Sequence, residues 1–470
     1  MKSYLDHFEV STETLQKVIS VAMSKGGTYA DLFFEHKISN SLGLEDGKVN
    51  RAGSNIDYGV GIRVLNGDQT GYAYSETITM DAMIKAAKMA AVIANSPDQF
   101  GSADITEKHP QSFYKIEKKW EDTSVKEKIP YMQKINDRVF ALDEKVIKVR
   151  ATLSDETSHV LFYNSEGTLS YDYRPLVSFG VTSIMQKGEQ IENFYSSRSF
   201  RKGFEWLDDN LVEELAQDTI ARNNLLFEAT KPKAGEMPVV MGAGGSGILL
   251  HEAIGHTFEA DFNRKGESIF SDKMGKKIAE SFINVVDDGT LPNNRGSINI
   301  DDEGNDVEKT YLVKDGVLNS YIHDRISADY YNVKPTGNGR RESFRYSPLP
   351  RMRATYMEAG PHSKDDLIAN VDYGVYVDNF SNGQVKIGAG DFTFFVKSGY
   401  LVENGKLTQP IKDINIIGNG PQALADISMA ADDFLIDNNT WMCGKGQMVP
   451  VTCGLPSVLV KKLTVGGTNA

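Results

Sequence analysis

The sequence predicts a two-domain α+β fold, and three observations predict it. Helical and strand periodicities mix over the first 230 residues without the strict alternation of βαβ units. Beyond about residue 280 the chain reads as short strands punctuated by Asp-Gly and Asn-Gly pairs at 288–289, 315–316, 382–383 and 404–405. That pattern implies a mainly antiparallel, sheet-rich second domain. Between the two lies residues 229–237 (ATKPKAGEM), with Pro, Lys and Gly and no periodicity. A boundary there divides the chain into domains 1–230 and 231–470.

The elements follow in order. Ser11 or Thr12 caps a first helix whose Leu15, Val18, Ile19 and Ala22 share one face, and Gly26 and Gly27 stop it. Strands are expected at 30–34 and 42–44. Val60, Ile62 and Val64 then alternate up to Asn66 and Gly67, and Tyr72 and Tyr74 alternate beyond, which is a hairpin with its turn residues in place. An Ala-rich helix covers 81–94, and a second spans 129–142 with Pro130 near its start. Strand segments at 146–153, 160–162, 169–173 and 177–185 precede a helix over 207–227. In the second half, residues 238–241 form a short strand, followed by a glycine-rich turn and one helix.

Composition narrows the function. The chain has 470 residues, 40% of them apolar and 10% aromatic, ample for sizeable cores. Its net charge of -13 repels phosphate backbones and argues against direct nucleic-acid binding. The opening residues MKSYLDHFEV hold no signal-peptide core, and apolar runs such as 89–94 are far too short to span a bilayer. Two cysteines, Cys443 and Cys453, fit a reduced, cytoplasmic chain in which each is more suited to a ligand, catalytic or buried role than to a bridge.

The chemistry centres on residues 251–256 (HEAIGH). A metallopeptidase needs neutral imidazoles on a cation and a carboxylate beside the open position to take a proton from bound water. His251 and His256 offer the imidazoles, and Glu252 the carboxylate. In the common H-E-x-x-H motif the histidines stand about 40° apart around a helix; here the spacing is i, i+5, about 140° on an ideal helix. A straight helix would not aim both rings at one ion. Gly255 is the place for the helix to kink, widen or end. A third ligand is required, and Glu259, Asp261, His323 and Cys443 are the candidates. Cys443 lies in the turn-rich stretch WMCGKG, where a thiolate could reach a site. Cys453 reads as structural.

Three other features carry weaker signals. Residues 242–247 (GAGGSG) match G-x-G-x-x-G after a strand and before a helix, the syntax of a dinucleotide fold. No acidic residue ends a second strand at the required distance, so a tight turn lining the cleft, with backbone N–H groups free for a substrate carbonyl, fits better. The cluster Arg340, Arg341, Arg345, Arg351 and Arg353 suits either carboxylate binding or pairing with the surplus acids. His323 suits either substrate contact or a satisfied position in a strand.

The motifs together resemble the metal-bearing branch of the TldD/PmbA (TldE) peptidase family. The resemblance is carried by YADL at 29–32, GVGIR at 59–63, GGSG at 244–247 leading into 251–261, DDEG at 301–304 and TGNGRRES at 336–343. It continues through CGK at 443–445, GLP at 454–456 and LTVGGT at 463–468, in order over nearly the whole chain. It implies a metallopeptidase whose divalent ion, zinc above others, is held by His251, His256 and Cys443, with Glu252 as the acid/base. It also implies a TldE-like partner subunit, with a homodimer as the alternative, and unfolded or leader peptides as substrates. The N-terminal domain would then supply partner and substrate-channel contacts. Family members have also been labelled modulators of DNA gyrase, but nothing in this acidic sequence suggests DNA contact. Two rivals stand outside that reading: a non-catalytic peptide-binding or regulatory protein with a structural metal, and a dinucleotide enzyme built on 242–247.

Overall fold

Long antiparallel strands organise the N-terminal half: Tyr29–Glu45, Lys48–Asn66, Val146–Asn164 and Thr168–Lys187. They form the body of a seven-stranded sheet that also holds Gln69–Ser75, Thr106–Lys108 and Gln190–Phe200. This computed structural model describes residues 2–95, 103–386 and 389–467, so Thr468, the end of the last sequence motif, lies outside the described residues.

Alternation along Tyr29–Glu45 decides what each face meets. Leu32 and Phe34 pack under helices Thr12–Ala22 and Met80–Ala90 at one end of the strand. Leu42 and Leu44 pack under helices Val125–Leu142 and Asp209–Glu228 at the other. The helices have local reasons to start where they do. Ser11 accepts from the Thr14 N–H at 3.2 Å, and Asp208 from the Leu211 N–H at 2.8 Å. At Val125–Leu142 the Glu127 carboxylate accepts from both the N–H and the hydroxyl of Ser124. That helix therefore begins before Pro130, which lies inside it rather than near its start.

The opposite face of the long sheet turns to the C-terminal half. Arg63, fully buried, donates to Asp31 at 2.8 Å and to Glu303 at 2.6 Å, and so ties the sheet to a loop 240 residues away. Arg174 does the same for Asp302 at 2.6 Å.

Two six-stranded sheets build the C-terminal half. One holds Lys309–Lys314, Val285–Asp288, Ala354–Met357 and Thr452–Leu455 at its centre and ends on Leu435–Asp437. In the other, Val458–Gly466 pairs with both Gly235–Met241 and Lys406–Asn419. The ring closes through Asp391–Glu403 and Tyr373–Lys386. Most pairs are antiparallel, but Ala354–Met357 with Thr452–Leu455 and Tyr373–Lys386 with Gly235–Met241 run parallel. One apolar core joins Val239, Val375, Phe394 and Ile416 of the ring to Leu250 and Ala253 of a short helix, Gly247–Ala253.

The expected turns at 315–316 and 404–405 are present with positive φ at both residues of each. The expected turn at 382–383 is not; those residues continue the strand Tyr373–Lys386, where the pairing register shifts.

Candidate metal centre

Helix Gly247–Ala253 is wedged in place by close backbone approaches that exclude side chains. A Cβ on Gly247 would stand 2.6 Å from the Gly454 nitrogen, and one on Gly420 would stand 2.1 Å from the Ala253 carbonyl. The helix ends at Ile254 (φ -126°, ψ -50°) and passes into a 3-10 turn, Gly255–Phe258. This change of winding answers the objection raised by the i, i+5 spacing. It turns His256 back toward His251, with ring centroids 5.2 Å apart and planes at 81°.

The sulfur arrives from a hairpin far along the chain. Met442–Gly444 pairs with Met448–Pro450. Fully buried Arg351 pins it by donating to the carbonyls of Cys443 at 2.6 Å and Gln447 at 3.0 Å. Cys443 Sγ then lies 3.4 Å from His256 Nε2. Donors on one tetrahedral zinc ion stand about 3.5 Å apart, so this separation fits a shared cation. The donor atoms of His251, His256 and Cys443 all fall within 4.8 Å of one another.

Two further observations test the fit. Both ring nitrogens of His251 are buried without any hydrogen-bond partner, a costly state for a polar group unless a cation takes one of them. His256 has its Nδ1 held by Glu259 at 3.0 Å, which leaves Nε2 directed at the sulfur. A carboxylate on the far nitrogen is the usual support for a metal-bound imidazole. Two imidazoles and a thiolate form a zinc-type donor set. Glu252 stands beside it, with Oε2 3.9 Å from His256 Nε2 and its side chain 24% exposed while the three donors are sealed.

The electrostatics pair a thiolate with an imidazolium. Burial opposes ionisation of Cys443, yet His251 and His256 pull its thiol well below the usual range. Burial likewise opposes charge on His256, but Glu259 and Cys443 raise it well above its usual value. Burial would push Glu259 up, but Lys445 and His256 outweigh it and bring it down to about 2. Lys445 Nζ bridges Glu259 at 3.0 Å and Asp261 at 2.7 Å.

Comparison with known proteins places this chain in a family. The model of the PmbA/TldA metallopeptidase C-terminal domain matches residues 234–467, and those of domain 1 and the central domain match 30–94 and 118–223. The metalloprotease TldD homolog of Haemophilus influenzae is 38% identical over 473 residues, covering 98% of this chain and 97% of that one. The chain belongs to the TldD/PmbA metallopeptidase family. The metalloprotease TldD homolog of Buchnera aphidicola from Schizaphis graminum is 38% identical over 94% of this chain and 93% of its own length. A zinc metalloprotease TldD homolog of Saccharolobus solfataricus is 30% identical over 96% and 99%. The crystal structure of TldE from Thermococcus kodakarensis shares the fold, with a TM-score of 0.74 at 20% identity, over 97% of this chain and all of that one.

Within this TldD/PmbA chain the other sequence candidates fall elsewhere. Glu259 supports His256 from behind, and Asp261 is held by Lys445. His323 is buried among Tyr321 and Tyr331. Cys453 is a free, buried thiol in Thr452–Leu455, and burial together with Asp437 and Glu252 pushes it up. The glycine-rich loop does not have the free donors expected of it along its length. Its Gly242, Gly244 and Gly247 N–H groups are taken by Val377 O, Leu455 O and Gly244 O, and the helix it opens has only seven residues. Among the arginines, Arg353 binds Asp287 and Arg345 binds Asp57 and Glu76, whereas Arg351 supports the Cys443 hairpin. That last role, and those of Glu259 and Lys445, had no signal in the sequence beyond proximity to the motifs. Among the described residues, no helix is long and apolar enough to cross a membrane.

Proposed function

We propose that the chain is a metal-dependent peptidase that hydrolyses unfolded or leader peptides in the cytoplasm. His251, His256 and Cys443 hold one divalent ion, zinc for preference, and Glu252 moves the proton. The observation that carries the reading is the unpartnered, fully buried His251 ring facing a sulfur and a second imidazole. The metalloprotease names of its relatives support the same activity.

A divalent ion bound there supplies Lewis acidity, bringing the pKa of a coordinated water toward neutrality and polarising a peptide carbonyl. Glu252, whose Oε2 lies 3.9 Å from His256 Nε2, would accept the water proton and deliver it to the leaving amine nitrogen. With the ion bound, Glu259 would hold the one His256 proton on Nδ1 and leave the Nε2 electron pair to the metal. An extended substrate pairs by main-chain hydrogen bonds with an exposed strand edge, which needs little sequence preference. Leu435–Asp437 is such an edge; with Gly244 and Gly245 it lines a cavity of about 310 Å³. The inferred partner is a TldE-like subunit, contacted in part by residues 1–230, with a homodimer as the alternative.

Burial of all three donors favours a second reading, a structural metal in a non-catalytic peptide-binding protein. Glu252→Gln separates the two. The peptidase reading expects metal content to stay at the wild-type level while cleavage of an unstructured peptide falls by on the order of 100-fold or more. Unchanged cleavage would remove Glu252 from its role, and wild-type protein with metal but no chelator-sensitive turnover would establish the structural reading.

A further inference from the structure

A cleft of about 590 Å³ lies between the long N-terminal sheet and the C-terminal half. Its floor is the polar middle of the long strands, including Ser39 and Glu156. Five arginines line it, and three of them, Arg201, Arg295 and Arg340, are each 4% exposed. Among the described residues none of the three makes a salt bridge. The Arg201 guanidinium donates only to the Pro175 carbonyl, at 3.2 Å, and its Nε has no partner. Arg295 donates to the Trp441 carbonyl at 3.0 Å, to Ser178 and Ser199 hydroxyls, and to Met442 sulfur. Arg340 donates to the Met352 and Pro450 carbonyls at 2.6 and 2.9 Å.

The acids of the cleft do not supply the missing charge. Asp302 is bound by Arg174 and Asp155 by Lys128, each at 2.6 Å. Glu35 takes the Phe344 N–H and lies 3.9 Å from Lys37, and Glu342 takes the Met448 N–H. Glu156, held only by the Ser39 hydroxyl, and Glu342 are the cleft carboxylates without an ion pair, so three cations face two. Guanidinium stays charged at physiological pH, and a buried cation without a counter-charge is costly. Consistent with this, burial and the neighbouring Arg201 bring Arg340 down to about 9. Met442 and Met448, 43% and 46% exposed, supply apolar surface at the same cleft. Met442 adjoins Cys443 on one strand, where successive side chains point to opposite faces. The cleft and the metal centre therefore lie on the two sides of strand Met442–Gly444.

We propose that this cleft is an oxyanion subsite that takes a carboxylate of an extended peptide among Arg201, Arg295 and Arg340, with flanking apolar residues on Met442 and Met448. The nature of the ligand rests on the peptidase reading; the site itself does not. Planar, forked donors suit a carboxylate, and the methionines suit varied apolar neighbours.

The test is binding, measured by calorimetry on the Glu252→Gln protein so that nothing is cleaved. One unstructured neutral peptide is used in three forms: with a free C-terminus, with an amidated C-terminus, and amidated with one internal Gln replaced by Glu. At least one carboxylate form should bind about ten-fold or more tightly than the fully neutral one, and which form does so identifies the source of the carboxylate. In the Arg201→Met/Arg295→Met protein that preference should fall to within about three-fold. Equal binding of all three forms to the parent overturns the subsite, whether or not the double variant folds. So does stabilisation of the wild type by inorganic phosphate with no preference among the peptides, which would assign the cleft to a free oxyanion. Absence of cleavage by the wild type would sink the peptidase reading without altering this binding result.

Discussion

Gly255 shows how one residue shapes the centre. A Cβ there would stand 2.2 Å from Met352 Sδ, in a side chain that is itself fully buried. Gly255→Ala should therefore cost about 1–3 kcal/mol of overpacking. It should also displace His256 from Cys443, read as a lower melting temperature together with reduced metal content. His323 gives a second prediction at this scale. Burial brings its pKa from the usual 6.5 down to about 4, so the unfolded chain takes up a proton at higher pH than the folded one. The stability it contributes is complete above pH 6.5 and is lost as pH falls toward 4, up to roughly 3 kcal/mol. His323→Phe, which keeps the ring against Tyr321 and Tyr331, should flatten the melting-temperature profile across that window. At the residue scale the sequence was partly legible. His251, Glu252 and His256 form a local pattern with its own chemical logic, and Gly255 marked the break in winding. Cys443 is 187 residues from His256, and only the family resemblance singled it out from Glu259, Asp261 and His323. Lys445 and Arg351 act through contacts that no local spacing encodes, whereas Glu259 stands three residues from the His256 it supports.

At the scale of elements, the long strands were read in pieces. Apart from Ile38, residues 35–41 and 154–159 are polar at successive positions, which hides a period of two and suggests loops. In the fold the strands run unbroken through these stretches. Their outer thirds pack under helices, and their polar middles form the floor of the cleft. A strand that serves two cores and an open cleft does not present one hydrophobic pattern. Pro130 misled in a related way, since a strong helix signal at Ser124 and Glu127 overrode a residue usually found at starts. Capping elsewhere makes a direct prediction. Asp208→Ala removes the acceptor for the Leu211 N–H and should cost about 0.5–2 kcal/mol, read from the urea midpoint.

Across the whole molecule, the two halves are locked by charge buried between them. Arg63, Asp31 and Glu303 are all buried, and removing the cation leaves Glu303 without its ion pair and Asp31 with only Arg341, at 3.5 Å. Arg63→Met should cost about 3–5 kcal/mol in chemical denaturation. The α+β class and the sheet-rich second half were legible because they rest on summed periodicity and turn residues. The closed ring of strands was not, because pairings such as that of Gly235–Met241 with Val458–Gly466 span most of the second half. This architecture brings a helix end and a distant hairpin together at the site proposed to hold one cation. X-ray absorption at the edge of the metal in the purified protein tests that most directly. The account predicts one sulfur at about 2.3 Å and two imidazole nitrogens at about 2.0–2.1 Å. A coordination shell of oxygen and nitrogen alone, without sulfur, would contradict it.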